Sequence, residues 1–277
     1  MQSLKELYRI GMGPSSSHTM APRRAAQRFF EKNPQACSYR ATLYGSLAAT
    51  GKGHFTDRAI LDVLGEDKTQ IVWQKDTVLP FHTNAMKFEA FDADQEVTDI
   101  WTVYSVGGGA LREEGEPPAK EVYAYKTFAD IVSWAEQQGR PIWTIVFDNE
   151  GEEIRQYLAG VWDQMQRSVQ NGLEHEDVLP GGLRLARKAY SFYKKASAQR
   201  PDLARTGLLS AYSLAVSEEN AGRGIVVTAP TCGSCGVVPG VLYYLKHHQG
   251  FTDREIINAL ATAGLVGNIV KQNASIS

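Results

Sequence analysis

The sequence predicts an α+β N-terminal domain, a small sheet with flanking helices, followed by a mainly α-helical domain. A contrast between the two halves carries this reading. From Ala41 to Tyr125 short β-like runs alternate with turns, whereas after about Thr127 the strand signal fades and apolar residues recur at helical spacing. A length of 277 residues leaves room for two domains, each in the ordinary range of roughly 100–150 residues. The boundary falls softly within Tyr125–Glu153, giving domains 1–150 and 151–277.

The elements follow in order. Ala21–Lys32 is the first predicted helix, and Thr56–Leu64 the second, with Thr56 as its N-cap. Ile71-Val72-Trp73, Met86–Phe91 and Ile100–Val106 are strand-like, being rich in β-branched and aromatic residues. In the last of them Ile100, Thr102, Tyr104 and Val106 share one face, and Trp101 and Val103 the other. Glu113–Glu121, with two prolines, is a solvated loop.

Thr127 to Asp130 is a capping-box-like start to a helix running towards Gln138. Ile154, Tyr157, Leu158, Val161, Trp162, Met165 and Val169 mark a helix that Asn171-Gly172 should stop. Pro201 opens another, through Leu208, Leu209, Tyr212 and Val216, until Gly222. Thr252-Asp-Arg-Glu255 is a capping box for an apolar helix through Val270. A helix that apolar needs a surface to cover it, and the sequence leaves open whether this chain supplies one.

Composition excludes several classes. The formal net charge is −2 with no basic block, so nothing marks a nucleic-acid or anionic-membrane partner. Met1–Ile10 carries Lys5, Glu6 and Arg9 where a secretory signal would be apolar. The longest uncharged stretch, Ile256–Val270, is shorter than the ~20 residues of a bilayer span. Three cysteines, Cys37, Cys232 and Cys235, cannot build a disulfide scaffold and suit a reducing cytoplasm.

Four segments carry chemistry. Gly13-Pro-Ser-Ser-Ser-His-Thr19 sets hydroxyls and a histidine just before a helix N-terminus, a good cradle for a carboxylate or phosphate; a solvated loop capped by Thr19 is the plainer alternative. Gly51-Lys-Gly-His54 and Pro80-Phe-His-Thr-Asn84 each place a histidine in a tight turn, where His54 or His82 alone reads as a loop or capping residue. Three histidines in turns of one small domain suggest that they converge. His175, His247 and His248 read as surface residues. The fourth segment brings an apolar run, Val226-Val227, into Thr228-Ala-Pro-Thr-Cys-Gly-Ser-Cys-Gly236. Its C-x-x-C is open to four readings: a redox dithiol, half a zinc site, part of an iron–sulfur ligand set, or two small buried residues in a turn.

The residues also resemble a known family. Gly13-Pro-Ser-Ser-Ser-His-Thr-Met-Ala-Pro22, Tyr44-Gly-Ser-Leu-Ala-Ala-Thr-Gly-Lys-Gly-His54, Asn84-Ala-Met-Lys-Phe-Glu89 and Tyr104-Ser-Val-Gly-Gly-Gly109 are similar to the first domain of bacterial iron–sulfur L-serine dehydratases. Leu179-Pro-Gly-Gly182, Glu218-Glu-Asn-Ala221 and Thr228–Gly236 resemble the start of that family's catalytic domain.

The resemblance implies a cytoplasmic [4Fe–4S] lyase, without pyridoxal phosphate, that converts L-serine to pyruvate and ammonia. In it an open iron acts as Lewis acid on the hydroxyl, and a base removes the α-proton. It further implies that Ser15, Ser16, Ser17 and Thr19 grip the substrate carboxylate. His18 and His54 would be acid/base or orienting groups, and His82 and Asn84 would have supporting catalytic and substrate-binding roles. Cys235 stands at a cluster-ligand position; Cys232 falls where many members carry asparagine and stays between ligand and spectator. The family's remaining cluster cysteines follow the Asn-Ala-Ser-Ile-Ser motif on which this chain ends. The implied partners are therefore L-serine and a second copy, or another chain that supplies the missing segment. The chain alone is expected to have weak or absent activity. Two alternatives remain: a catalytically inactive serine-binding module, and a thiol redox or zinc protein built on Cys232 and Cys235.

Overall fold

The structure, a computed structural model, describes residues 1–117 and 119–274. Pro118 and the last three residues of the Asn-Ala-Ser-Ile-Ser motif lie outside the described residues. The chain forms two compact units, one of residues 14–117 and one joining Met1–Gly13 to the chain from Ala119 onward. This is not the expected 1–150 and 151–277 division. The reason is packing between segments distant in sequence: Leu4, Leu7 and Tyr8 share a core with Tyr123, Ile131, Ile145, Val146 and Leu260. A 3-10 turn at Leu4–Glu6 precedes β1 (Ile10–Met12), and both belong to this helical unit.

The unit of residues 14–117 holds α1 (Ala21–Lys32), β2 (Ser38–Tyr44), α2 (Gly45–Thr50), α3 (Thr56–Leu64), β3 (Thr69–Gln74), β4 (Ala85–Phe91), β5 (Val97–Ser105) and β6 (Leu111–Arg112). The strands form one mixed sheet in the order β3-β2-β4-β5-β6, with β3 parallel to β2 and the other pairings antiparallel. Tyr39, Ala41, Leu43, Met86, Phe88, Ala90 and Val103 turn one face towards Ala25, Ala26 and Phe29 of α1 and Ile60 and Leu64 of α3. Burying each large apolar side chain contributes about 1.5–3 kcal/mol, which ties both helices to one side of the sheet. The alternation in β5 holds only in part: Trp101 and Val103 join this core and Ile100 is exposed, but Tyr104, on the Ile100 face, is buried too. Strand β2, whose Arg40 and Thr42 interrupt the apolar pattern, was not foreseen. Thr56 is the first residue of α3 rather than its cap; its hydroxyl donates to the His18 carbonyl at 2.5 Å.

The register gathers chemistry at one end of this sheet. Because β2 runs antiparallel to β4, and β4 to β5, the end of β2, the start of β4 and the end of β5 coincide. Ser46, Asn84 and Ser105 sit at these three points.

The helical unit continues with α4 (Phe128–Gln138), α5 (Thr144–Glu150), α6 (Glu153–Glu174), α7 (Ala189–Ser197), α8 (Pro201–Ala221), β7 (Ile225–Val227), α9 (Val237–His248) and α10 (Asp253–Asn273). Both predicted capping boxes are formed, at Thr127/Asp130 and Thr252/Glu255. Helix α6 does not stop at Asn171-Gly172. A Cβ on Gly172 would lie 2.2 Å from the Ala215 carbonyl oxygen, so this glycine admits α8 rather than ending α6. Strand β7 pairs antiparallel with β1, and Thr228 accepts the Arg9 N–H at 2.9 Å. The apolar α10 is covered within the chain: Gly264 lies under Leu4 and Tyr8, Gly267 lies under Leu7, and Tyr8 donates to the Leu260 carbonyl at 3.0 Å. Among the described residues no helix is long and apolar enough to cross a membrane.

Candidate functional site

Ser15 to Thr19 forms a single wide turn ahead of α1. The Ser15 carbonyl accepts from both Thr19 and Met20 at 3.0 Å, and the Ser15 hydroxyl accepts the His18 N–H at 3.1 Å. Ser16, Ser17, His18 and Thr19 are buried. Thr19 does not cap α1: its hydroxyl donates to the His54 carbonyl at 2.7 Å. Together with the Thr56–His18 bond, this pins the turn carrying His54 against the turn carrying His18. The two imidazole rings lie 4.8 Å apart.

The two histidines sit in different electrostatic settings. His18 is 8% exposed, with Ser17 Oγ 2.9 Å from Nδ1 and Ser46 Oγ 3.3 Å from Nε2. Burial, reinforced by the neighbouring His54, pushes its pKa down to about 4, so it is neutral at physiological pH. His54 Nδ1 lies 3.0 Å from the Thr50 carbonyl oxygen, which can only accept. The proton therefore sits on Nδ1 and leaves Nε2 as the acceptor.

The His18 shift has a sign that can be tested. Its folded pKa lies below the usual 6.5, so the unfolded chain binds the proton first as pH falls. Stability is complete above about pH 6.5 and is lost progressively towards pH 4, by on the order of 2–3 kcal/mol. His82, lowered by burial, acts in the same direction. Urea midpoints measured at pH 7 and pH 4.5 should show a smaller acid loss in His18→Gln than in wild type. An unchanged acid loss would contradict the assignment.

His82 makes no ring contact with the other two among the described residues; instead its Nδ1 accepts the Asn84 N–H at 3.1 Å, ahead of β4. A close approach links it to His18. Gly45, at φ +49°, lies where a Cβ would be 2.6 Å from the Thr83 carbonyl oxygen. Ser46, the partner of His18, follows Gly45, and Asn84 follows Thr83. Residue pattern alone did not single out Ser46 or Ser105; the signal lay in the topology that brings three strand ends together. His247 and His248 are exposed, as read from the sequence, with their rings against Tyr243, Tyr212 and Tyr244.

Cys232 and Cys235 belong to the helical unit, at the turn before α9. They are buried and unbridged, with the Cys235 N–H donating to the Cys232 carbonyl at 3.1 Å. Burial raises both thiols, Cys235 to about 12, which is the reverse of what a reactive redox dithiol draws on. Among the described residues no three His, Cys, Asp or Glu side chains gather for a metal. A [4Fe–4S] cluster takes three or four thiolates, so the described residues do not furnish its ligand set. Glu218 and Glu219 have structural partners. Glu218 accepts the N–H groups of Lys188 and Ala189 at the start of α7, at 2.6 and 3.3 Å. Glu219 accepts from Arg187 at 2.9 Å and lies 2.8 Å from His175.

A family model described as serine dehydratase beta chain matches residues 3–67, and one described as serine dehydratase alpha chain matches residues 37–277. The L-serine dehydratase of Streptomyces coelicolor is 33% identical across 99% of this chain and 73% of its own length. L-serine dehydratase 1 of Escherichia coli is 32% identical across 100% of this chain and 73% of its own. The L-serine dehydratase of Helicobacter pylori is 31% identical across 99% and 73%. With both family models matched and relatives above 30% identity along its whole length, the chain belongs to the L-serine dehydratase family of carbon–oxygen lyases.

Proposed function

We propose that this chain binds L-serine in the turn-and-histidine site of residues 15–105 and serves its dehydration and deamination to pyruvate and ammonia. The observation that carries the reading is the buried hydroxyl turn closed by a neutral His18 and an acceptor-facing His54. Ser15, Ser16 and Ser17, at the foot of a helix, suit the substrate carboxylate, while Thr19 spends its hydroxyl proton on the His54 carbonyl and shapes the turn. His54 Nε2 is the acceptor for the α-proton. His18, held by Ser17 and Ser46, orients the substrate without adding charge. Loss of water then leaves an enamine, which hydrolyses through its imine to pyruvate and ammonia. His82 and Asn84 support the wall of the site.

The iron–sulfur cluster belongs to this reading as a group to which Cys235 would supply one ligand, with Cys232 between ligand and spectator. The described residues do not complete it, and no step above depends on it.

Binding is the first test. A ligand that binds only the folded chain raises its melting temperature, by the equivalent of about 2.7 kcal/mol at one hundred times Kd. L-Serine should raise the melting temperature of the purified chain, with L-alanine and D-serine giving much smaller shifts. Equal responses to all three, or none, would sink the proposal.

A further inference from the structure

Two buried polar atoms at the sheet end make no hydrogen bond among the described residues: Asn84 Oδ1, in a residue 1% exposed, and Ser105 Oγ, in one 0% exposed. They are neighbours, because the Ser105 N–H donates to the Asn84 carbonyl at 2.9 Å across the start of β4 and the end of β5. Buried polar atoms are ordinarily paired, so two orphans side by side call for an explanation. An amide oxygen can only accept, so the missing partner must bring N–H or O–H donors. A carboxylate brings none.

Charge narrows the choice. His82, the titratable group bonded beside Asn84, uses Nδ1 as an acceptor and is held towards its neutral form by burial. Among the described residues no cation bonds these two oxygens. A compact cation with several donors fits two neutral acceptors better than a lone hydroxyl does.

We infer that Asn84 and Ser105 form the recognition site for the α-ammonium group of an amino acid, with Ser105 a specificity-determining residue that sequence patterning did not indicate. The inference rests on the serine-binding reading above. It divides the zwitterion between the two ends of the site. The carboxylate goes to the hydroxyl turn at residues 15–19, and the ammonium to the orphaned pair at the sheet end. The Ser105 hydroxyl accepts one ammonium N–H and the Asn84 amide oxygen a second.

The test compares L-serine with L-glycerate, which replaces the ammonium with a hydroxyl, by calorimetry on the full chain. Ser105→Ala should weaken L-serine at least ~10-fold, as loss of one charge-assisted hydrogen bond implies, and leave L-glycerate within about 2-fold. The same substitution removes an unpaired buried hydroxyl. The ligand-free variant should therefore melt no lower than wild type, which a structural hydroxyl satisfied by buried water would not allow. Ser105→Cys, similar in volume but a weak acceptor, should repeat the loss of selectivity, so the result does not hang on one variant. Equal weakening of both ligands, no weakening, or a lower ligand-free melting temperature with selectivity intact would each overturn the inference. If wild type binds neither ligand, the serine-binding reading itself fails and takes this one with it. If wild type binds L-serine and Ser105→Ala binds it equally well, only the ammonium assignment fails.

Discussion

His54→Gln is expected to slow the exchange of the L-serine α-proton with solvent deuterium by about 10²- to 10⁴-fold, the usual cost of losing a general base. The argument is geometric. The Thr50 carbonyl fixes the His54 tautomer by occupying Nδ1, so the lone pair on Nε2 is the one available to take a proton. Glutamine keeps a donor for Thr50 but offers no basic nitrogen. His18 is a poorer candidate, because Ser17 and Ser46 engage both its nitrogens and burial takes its pKa down to about 4. His18→Gln should therefore slow exchange less than His54→Gln does. The melting shift produced by L-serine should survive in His54→Gln, which separates loss of the base from loss of the site. A His54→Gln exchange rate within about tenfold of wild type would remove His54 from this role.

Gly172→Ala should destabilise the helical unit by roughly 3 kcal/mol or more, at the upper end of what overpacking costs. The added methyl would stand 2.2 Å from the Ala215 carbonyl oxygen and 2.5 Å from its carbon, and both belong to the backbone of α8. A flexible side chain could swing away, but a helix backbone cannot, so α6 and α8 must separate. In exposed helix interiors the same substitution stabilises by up to about 1 kcal/mol, which makes the predicted sign informative. Gly160, also within α6, has nothing within 4 Å of its Cβ position, so Gly160→Ala provides the control and should be neutral or stabilising. Urea denaturation followed by circular dichroism measures both. Equal stabilities for the two variants would mean that α6 and α8 do not meet at this point.

Much of the local structure was legible because it depends on neighbours in sequence. The boxes at Thr127 and Thr252 close over three residues, and Gly222 caps α8 where it was expected. The alternation in β5 reports a half-buried strand through side-chain period alone. Asn171-Gly172 misled for a physical reason: a glycine reads as a helix stop whether it ends a helix or admits another against it. Strand β2 was missed because Arg40 and Thr42 are polar and break its apolar run, although Thr42 is buried once the sheet forms.

The candidate site was legible as residue types and not as a constellation. The hydroxyl-rich turn, the two histidine turns and the cysteine pair each stood out, and their resemblance to one family named a chemistry for them. Spacing could not bring His18 within 4.8 Å of His54, nor say that Thr19 and Thr56 tie the two turns together. Nor could it show Ser105 unpaired beside Asn84, since that follows from the register of β4 on β5. The placement of Met1–Gly13 in the helical unit and the covering of α10 by Leu4, Leu7 and Tyr8 likewise waited for the fold. Capping, periodicity and composition act within a few residues, and the linear chain carries them. Burial and the orphaning of a polar atom depend on groups tens to hundreds of residues away, and these are settled only when the chain closes on itself.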